Sequence, residues 1–217
     1  MGFPKTDLNQ IKRHPERGAY DRDAAYEIID EALICHVGIL EQTQPVVIPT
    51  IHARIGDKLL LHGSSASRLL NYARSGKPLC VTITIIDGIV LARSLFNHSM
   101  NYRSVVIFGR GELVEDDEER MTALKAVSNH LIPGRWEEAR HPNHKELKAT
   151  KVVSIPITEA SAKIRGGPPK DEEEDRELPV WAGVIPLRLQ PAKPEADPQL
   201  GTDISLPKYV SDYVRLK

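Results

Sequence analysis

Apolar and polar positions change period along this chain, and the changes mark its elements. In "DRDAAYEIIDEAL" (21–33) the apolar positions Ala25, Ile28, Ile29, Ala32 and Leu33 recur at helical spacing behind a capping Asp21. "CHVGILE" then reads as a strand and "QTQ" as a turn. "PVVIPTIHARI" reads as a second strand, with Pro45 at its start. Pro49 has no N–H for a ladder, so this strand is expected at a sheet edge or kinked there. "GDKLLLHG" predicts a turn and a third strand, and "SSASRLLNYARSG" a helix closed by Gly76. "PLCVTITII" alternates strictly: Leu79, Val81, Ile83 and Ile85 against Cys80, Thr82 and Thr84. Asp87-Gly88 is then expected to turn a hairpin, with "IVLARS" pairing back. "SVVIFGRGELV" predicts another strand, bent at Gly109 and Gly111. "DDEERMTALKAVSNHLI" predicts a long helix with acids in its first turn, and Pro142 interrupts a shorter helical region after it. "KVVSIPITEASAKIR" reads as one last core strand. An acidic Gly/Pro-rich loop follows, then the apolar "PVWAGVIPLRLQP" and an irregular tail. Six or seven short strands with glycine kinks and a few helices predict a mainly β fold, an antiparallel barrel with helices outside. Residues 1–20 are expected to form an extension, 21–190 the domain and 191–217 a tail.

Net charge is −1 over 217 residues, which removes any global electrostatic case for nucleic acid or anionic membrane. Cys35 and Cys80 lie inside apolar runs and carry no metal-ligand spacing. With no signal core and no run of about 20 apolar residues, the expectation is a cytoplasmic protein.

The chemistry is sparse. No GxGxxG after a strand, P-loop, GxSxG or HExxH occurs, so a cofactor is expected to carry any reaction. Two donor clusters stand out. The first is "HGSSASR", where His62, Gly63, Ser64, Ser65 and Ser67 lead into a helix with Arg68 in its first turn. A cation there opposes the helix dipole, and a bound anion would reverse that sign. An ordinary N-cap with Arg68 in water explains the same residues. The second is "FNHSMNYRSVVIFGRG" (96–111), with Asn101, Tyr102, Arg103 and Ser104 at a strand mouth. Arginine beside hydroxyl donors suits phosphate. His98 is the candidate acid or base, and Trp181 a ring for stacking or for the core.

In order and spacing these segments resemble the flavin-binding split barrels related to pyridoxamine 5′-phosphate oxidase. The likeness runs through "PVVIPTIHA", "LLLHGSSASRLLNYARSGKPLCVTIT", "DGIVLARSLFNHSMNYRSVVIFGRGELV" and "LPVWAGVIPLRL", over roughly residues 20–190. It is nearest to the flavin-nucleotide-binding subgroup that includes nitroimidazole-resistance reductases. The resemblance implies a six- to seven-stranded antiparallel split β-barrel and a homodimer with FMN at the interface. Val47, Ile48, Pro49 and Thr50 would then line the isoalloxazine edge. His62, Ser64, Ser65, Ser67 and Arg68 would hold the ribityl phosphate. Arg103 and Ser104 match the oxidase's Arg-Gln pair, with Ser in place of Gln, and Trp181 the tryptophan brought by the other subunit. The oxidase's Arg-x-His is here Arg188-Leu189-Gln190, which argues against a B6 substrate. The implied function is an FMN-dependent oxidoreductase passing electrons from a nicotinamide or small reductant to a small acceptor. The alternatives are a flavin carrier without catalysis, or a barrel of this kind that binds haem or a deazaflavin.

Overall fold

The structure is a computed structural model that describes residues 2–214 of the 217. The last residues of the expected tail, 215–217, lie outside the described residues. Among the described residues, ten strands carry the fold: β1 (Gly18–Ala19), β2 (Ile34–Glu41), β3 (Gln44–Ile55), β4 (Lys58–Ser64), β5 (Pro78–Leu91), β6 (Ser99–Arg110), β7 (Glu112–Leu113), β8 (Thr150–Pro156), β9 (Glu159–Arg165) and β10 (Gly183–Pro186). Six α-helices accompany them among the described residues: α1 (Arg22–Glu31), α2 (Arg68–Ala73), α3 (Asp117–Leu131), α4 (Arg135–Glu138), α5 (His144–Ala149) and α6 (Lys208–Ser211). The strands form one antiparallel sheet in the order β1-β9-β6-β5-β2-β3-β4-β8-β7, with β10 added to β5. No described helix is long and apolar enough to cross a membrane.

The predicted helix ends hold where a cap fixes them. Asp21 accepts from the Ala24 N–H, and Asp116 from the N–H groups of Glu118 and Glu119. Asn143 and Glu146 form a capping box after Pro142. One face of the sheet closes on the core: Val37, Leu59, Leu61, Val81, Ile83, Val105, Ile107, Val153 and Ile155 are fully buried with Ile28 and Ile29 of α1. Each such aliphatic contributes about 1.5–3 kcal/mol. The segment before α1 is tied down as well. Phe3 packs edge-on against Tyr26, and buried Asn9 donates to the Pro4 and Ala160 carbonyls.

Three expectations need correction. Asp87-Gly88 is no hairpin: β5 runs straight through it with a bulge between Ile86 and Gly88. The glycine answers a different need, because β10 crosses so closely that a Cβ on Gly88 would lie 2.9 Å from the Ile185 carbonyl oxygen. The connection falls instead at 92–98, so β6 begins at Ser99 and most of the donor-rich stretch is strand rather than turn. "KVVSIPITEASAKIR" is two strands, β8 on β4 and β9 on β6, so the two halves of that run join opposite parts of the sheet.

Gly111 shows why β6 and β7 separate. An added Cβ would lie 2.6 Å from Val153 Cγ1 and 2.8 Å from the Ala73 carbonyl oxygen. Gly111→Ala is therefore expected to destabilise the fold by about 1–3 kcal/mol in urea unfolding.

Candidate functional site

Antiparallel partners alternate between pairs that exchange two hydrogen bonds and pairs that exchange none. Pro49 lies opposite His36 and Pro45 opposite Leu40, both in the same phase of the β2–β3 ladder. Neither proline has an N–H, so both occupy non-bonded positions and turn their backbone groups away from β2. On that side β4 pairs with β3 only at His52–Ile55. The first half of β3 therefore has an open edge that presents the carbonyls of Pro45, Val47 and Pro49 and the N–H of Val47.

The "HGSSASR" corner stands across this opening. β4 ends at Ser64, and the Ser65 N–H donates to the Ala149 carbonyl (2.8 Å). Ser67 caps α2 by accepting from the Leu70 N–H (3.4 Å). Arg68 is exposed and pairs with Glu41 at the β2–β3 turn (3.2 Å), which brings the start of α2 to the open edge. Lys151 donates to the Ser65 carbonyl and to Asn71 Oδ1 (both 2.7 Å) and adds a second cation. Lys151 gave no sign in the sequence because it enters from β8, which pairs with β4 only in three dimensions. His62 and Gly63 do not join this corner. His62 shares the face of Leu60 and Val152, under α3, and Gly63 packs against Leu70. Burial lowers the pKa of His62 and favours the neutral ring.

Strand alternation divides the second cluster. Tyr102, Ser104 and Val106 face outward, whereas Arg103 points with Val105 and Ile107 toward the core side. Arg103 is committed there, its Nε and Nη2 donating to Asp87 (2.9 and 2.8 Å) and its Nη2 also to Glu31 (2.9 Å). Those hydrogen bonds, from Glu31 first, push its pKa further up. The structure does not bring Arg103 and Ser104 together: they lie on opposite faces, and the guanidinium has two carboxylate partners. Asn101 also faces inward; its amide donates to the Gly167 carbonyl (3.1 Å) and its oxygen accepts from buried Arg165.

His98 is exposed, with Nε2 3.2 Å from the Ala92 carbonyl. Beside it Arg93 clamps Asp171 of the acidic loop through its backbone N–H (2.7 Å) and Nη1 (2.8 Å). The loop is thereby held against the end of β5, where Arg93, Lys170 and Arg176 line a cavity with Gly183. Trp181 lies over Gly183 and is 66% exposed. Val47, Pro49, Tyr102 and Ser104 share the outer face, with β2 and β5 between the β3 pair and the β6 pair, whereas Ile48 and Thr50 alternate to the other side.

This geometry has known relatives. A flavocytochrome from Azotobacter vinelandii is 41% identical over 94% of this chain and 95% of its own, with a TM-score of 0.89. An FAD- and haem-binding protein from Mycobacterium smegmatis is 34% identical over 89% of this chain and 95% of its own, with a TM-score of 0.86. A 5-nitroimidazole antibiotic resistance protein from Bacteroides thetaiotaomicron is 24% identical over 68% of this chain and 86% of its own, with a TM-score of 0.57, and shares the fold. No curated protein matches. The family model described as pyridoxamine 5′-phosphate oxidase matches residues 21–164, and the chain belongs to that family.

Proposed function

We propose that this protein is a flavin- and haem-binding redox protein of the flavocytochrome type. The observation that carries the flavin half is the open edge of β3, fixed by Pro45 and Pro49, facing the Ser64, Ser65, Ser67 and Arg68 corner. An isoalloxazine edge has both donors and acceptors, which suit the Val47 N–H and the neighbouring carbonyls. The corner supplies hydroxyls and two cations for a phosphate. When bound, the flavin supplies hydride and single-electron transfer, and the protein contributes binding and orientation. The haem half is supported by the two relatives above 30% identity, one a flavocytochrome and the other named for FAD and haem.

The sequence resemblance points to FMN and the Mycobacterium smegmatis relative to FAD; flavin released by acid and separated by chromatography distinguishes them. A nicotinamide or small reductant is the proposed donor, tested by anaerobic bleaching with NADH and NADPH. A second copy is the proposed partner. Leu178, Val180, Trp181 and Leu189 are 44%, 50%, 66% and 73% exposed, an apolar arm suited to packing on another chain.

Arg68→Ala is expected to weaken flavin binding by roughly 1.5–3 kcal/mol, about ten- to a hundredfold, in a fluorescence titration of the apoprotein. Unchanged affinity would move the phosphate away from this corner.

A further inference from the structure

We propose that His36 supplies an axial ligand to the haem iron; this assignment rests on the haem half of the function proposed above. Ligation needs a neutral imidazole with a ring nitrogen open to the metal. The chain has eight histidines. Five are occupied: His14 by Glu16, His98 by the Ala92 carbonyl, and His141 by the Trp136 carbonyl and ring. His52 and His130 lie with rings 4.8 Å apart and place Nε2 on the Ile29 and Ala32 carbonyls. His62 is turned under α3, and its Nδ1 is buried. His144 opens α5 in water beside Lys145 and Glu146.

His36 is exposed in the middle of β2 and, like His144 among the described residues, its side chain has no hydrogen bond, ion pair or ring contact; its place on a sheet face sets it apart. Its surroundings suit an apolar disc. Ile34 and Leu40 on the same face of β2 are 47% and 54% exposed, Val47 across the ladder is 63% exposed, and Pro49 lies directly opposite. Gly38, next along this face, leaves room: an added Cβ would come no nearer than 3.6 Å to any neighbour. A side chain stands roughly perpendicular to its sheet, so a ring ligated through His36 would lie over these residues. The face also changes character in the right direction. Ser104 and Lys163 pair across β6 and β9 on the same side, a hydroxyl and a cation beyond the apolar area, the Lys163 ammonium donating to the Arg13 carbonyl (3.0 Å) and keeping further donors for a haem carboxylate. The imidazole stands between exposed aliphatic side chains of β2 and β3 and Thr82 of β5, and iron would give it a partner.

Wild type, His36→Ala and His144→Ala would be produced with a haem precursor and titrated with hemin, reading the Soret band, the haem-to-flavin ratio and the spin state. Wild type and His144→Ala are expected to bind haem alike. His36→Ala is expected to lose at least tenfold in hemin affinity with flavin content unchanged, and added imidazole should restore the wild-type spectrum, which a misfolded variant could not do. A His36→Ala protein with the wild-type spectrum and affinity overturns the assignment alone. Wild type that binds flavin but takes up no hemin overturns the haem reading beneath it.

Discussion

Arg103→Ala is expected to be among the most destabilising single changes in the protein, costing about 2–4 kcal/mol. The guanidinium joins Asp87 of the β5 bulge to Glu31 at the end of α1, with 27% of its own side chain exposed against 34% and 18% for theirs. Removing one member of a fully buried network costs about 3–5 kcal/mol, because the remaining charges lose their compensation. Partial exposure to solvent reduces that figure. The urea midpoint should fall, while the flavin affinity of the folded protein stays near wild type. A variant of wild-type stability that has lost flavin would return Arg103 to the phosphate site and contradict the alternation argument. Arg103→Lys should recover little, since a point charge cannot reproduce two forked contacts.

Asn101→Ala is expected to cost about 3 kcal/mol. Arg165 is 7% exposed and forms no ion pair among the described residues, so the Asn101 oxygen is a principal acceptor for a desolvated cation. The same amide holds the Gly167 carbonyl, where the chain leaves β9 for the acidic loop with Gly167 at φ 95°. Besides the loss in urea, limited proteolysis should cut faster within 166–178. Unchanged stability and unchanged cleavage would show that water replaces the amide at no cost.

Both residues illustrate what could be read along the chain. The strands were legible where one face is buried, as in "PLCVTITII", because burial imposes a period of two. Helix starts were legible where Asp21 and Asp116 cap them, because a cap is a local bond between neighbours in sequence. Asp87-Gly88 misled because a glycine demanded by the crossing of β10, a contact between residues about a hundred apart, looks the same in sequence as one demanded by a turn. Pro49 marks a strand edge in the sequence, and β3 does have an open edge there. The partners of Arg103 were beyond reach, since Glu31 is 72 positions away and nothing local marks it. Lys151 and His36 escaped for a similar reason. One joins the corner from another strand, and the other is a single polar position whose meaning depends on the sheet face around it.

The most direct test is the absorption spectrum of the purified protein, followed by acid extraction. Flavin bands together with a Soret band are expected, with FMN or FAD in the acid supernatant. A colourless protein that also fails to take up added FMN, FAD or hemin would contradict it.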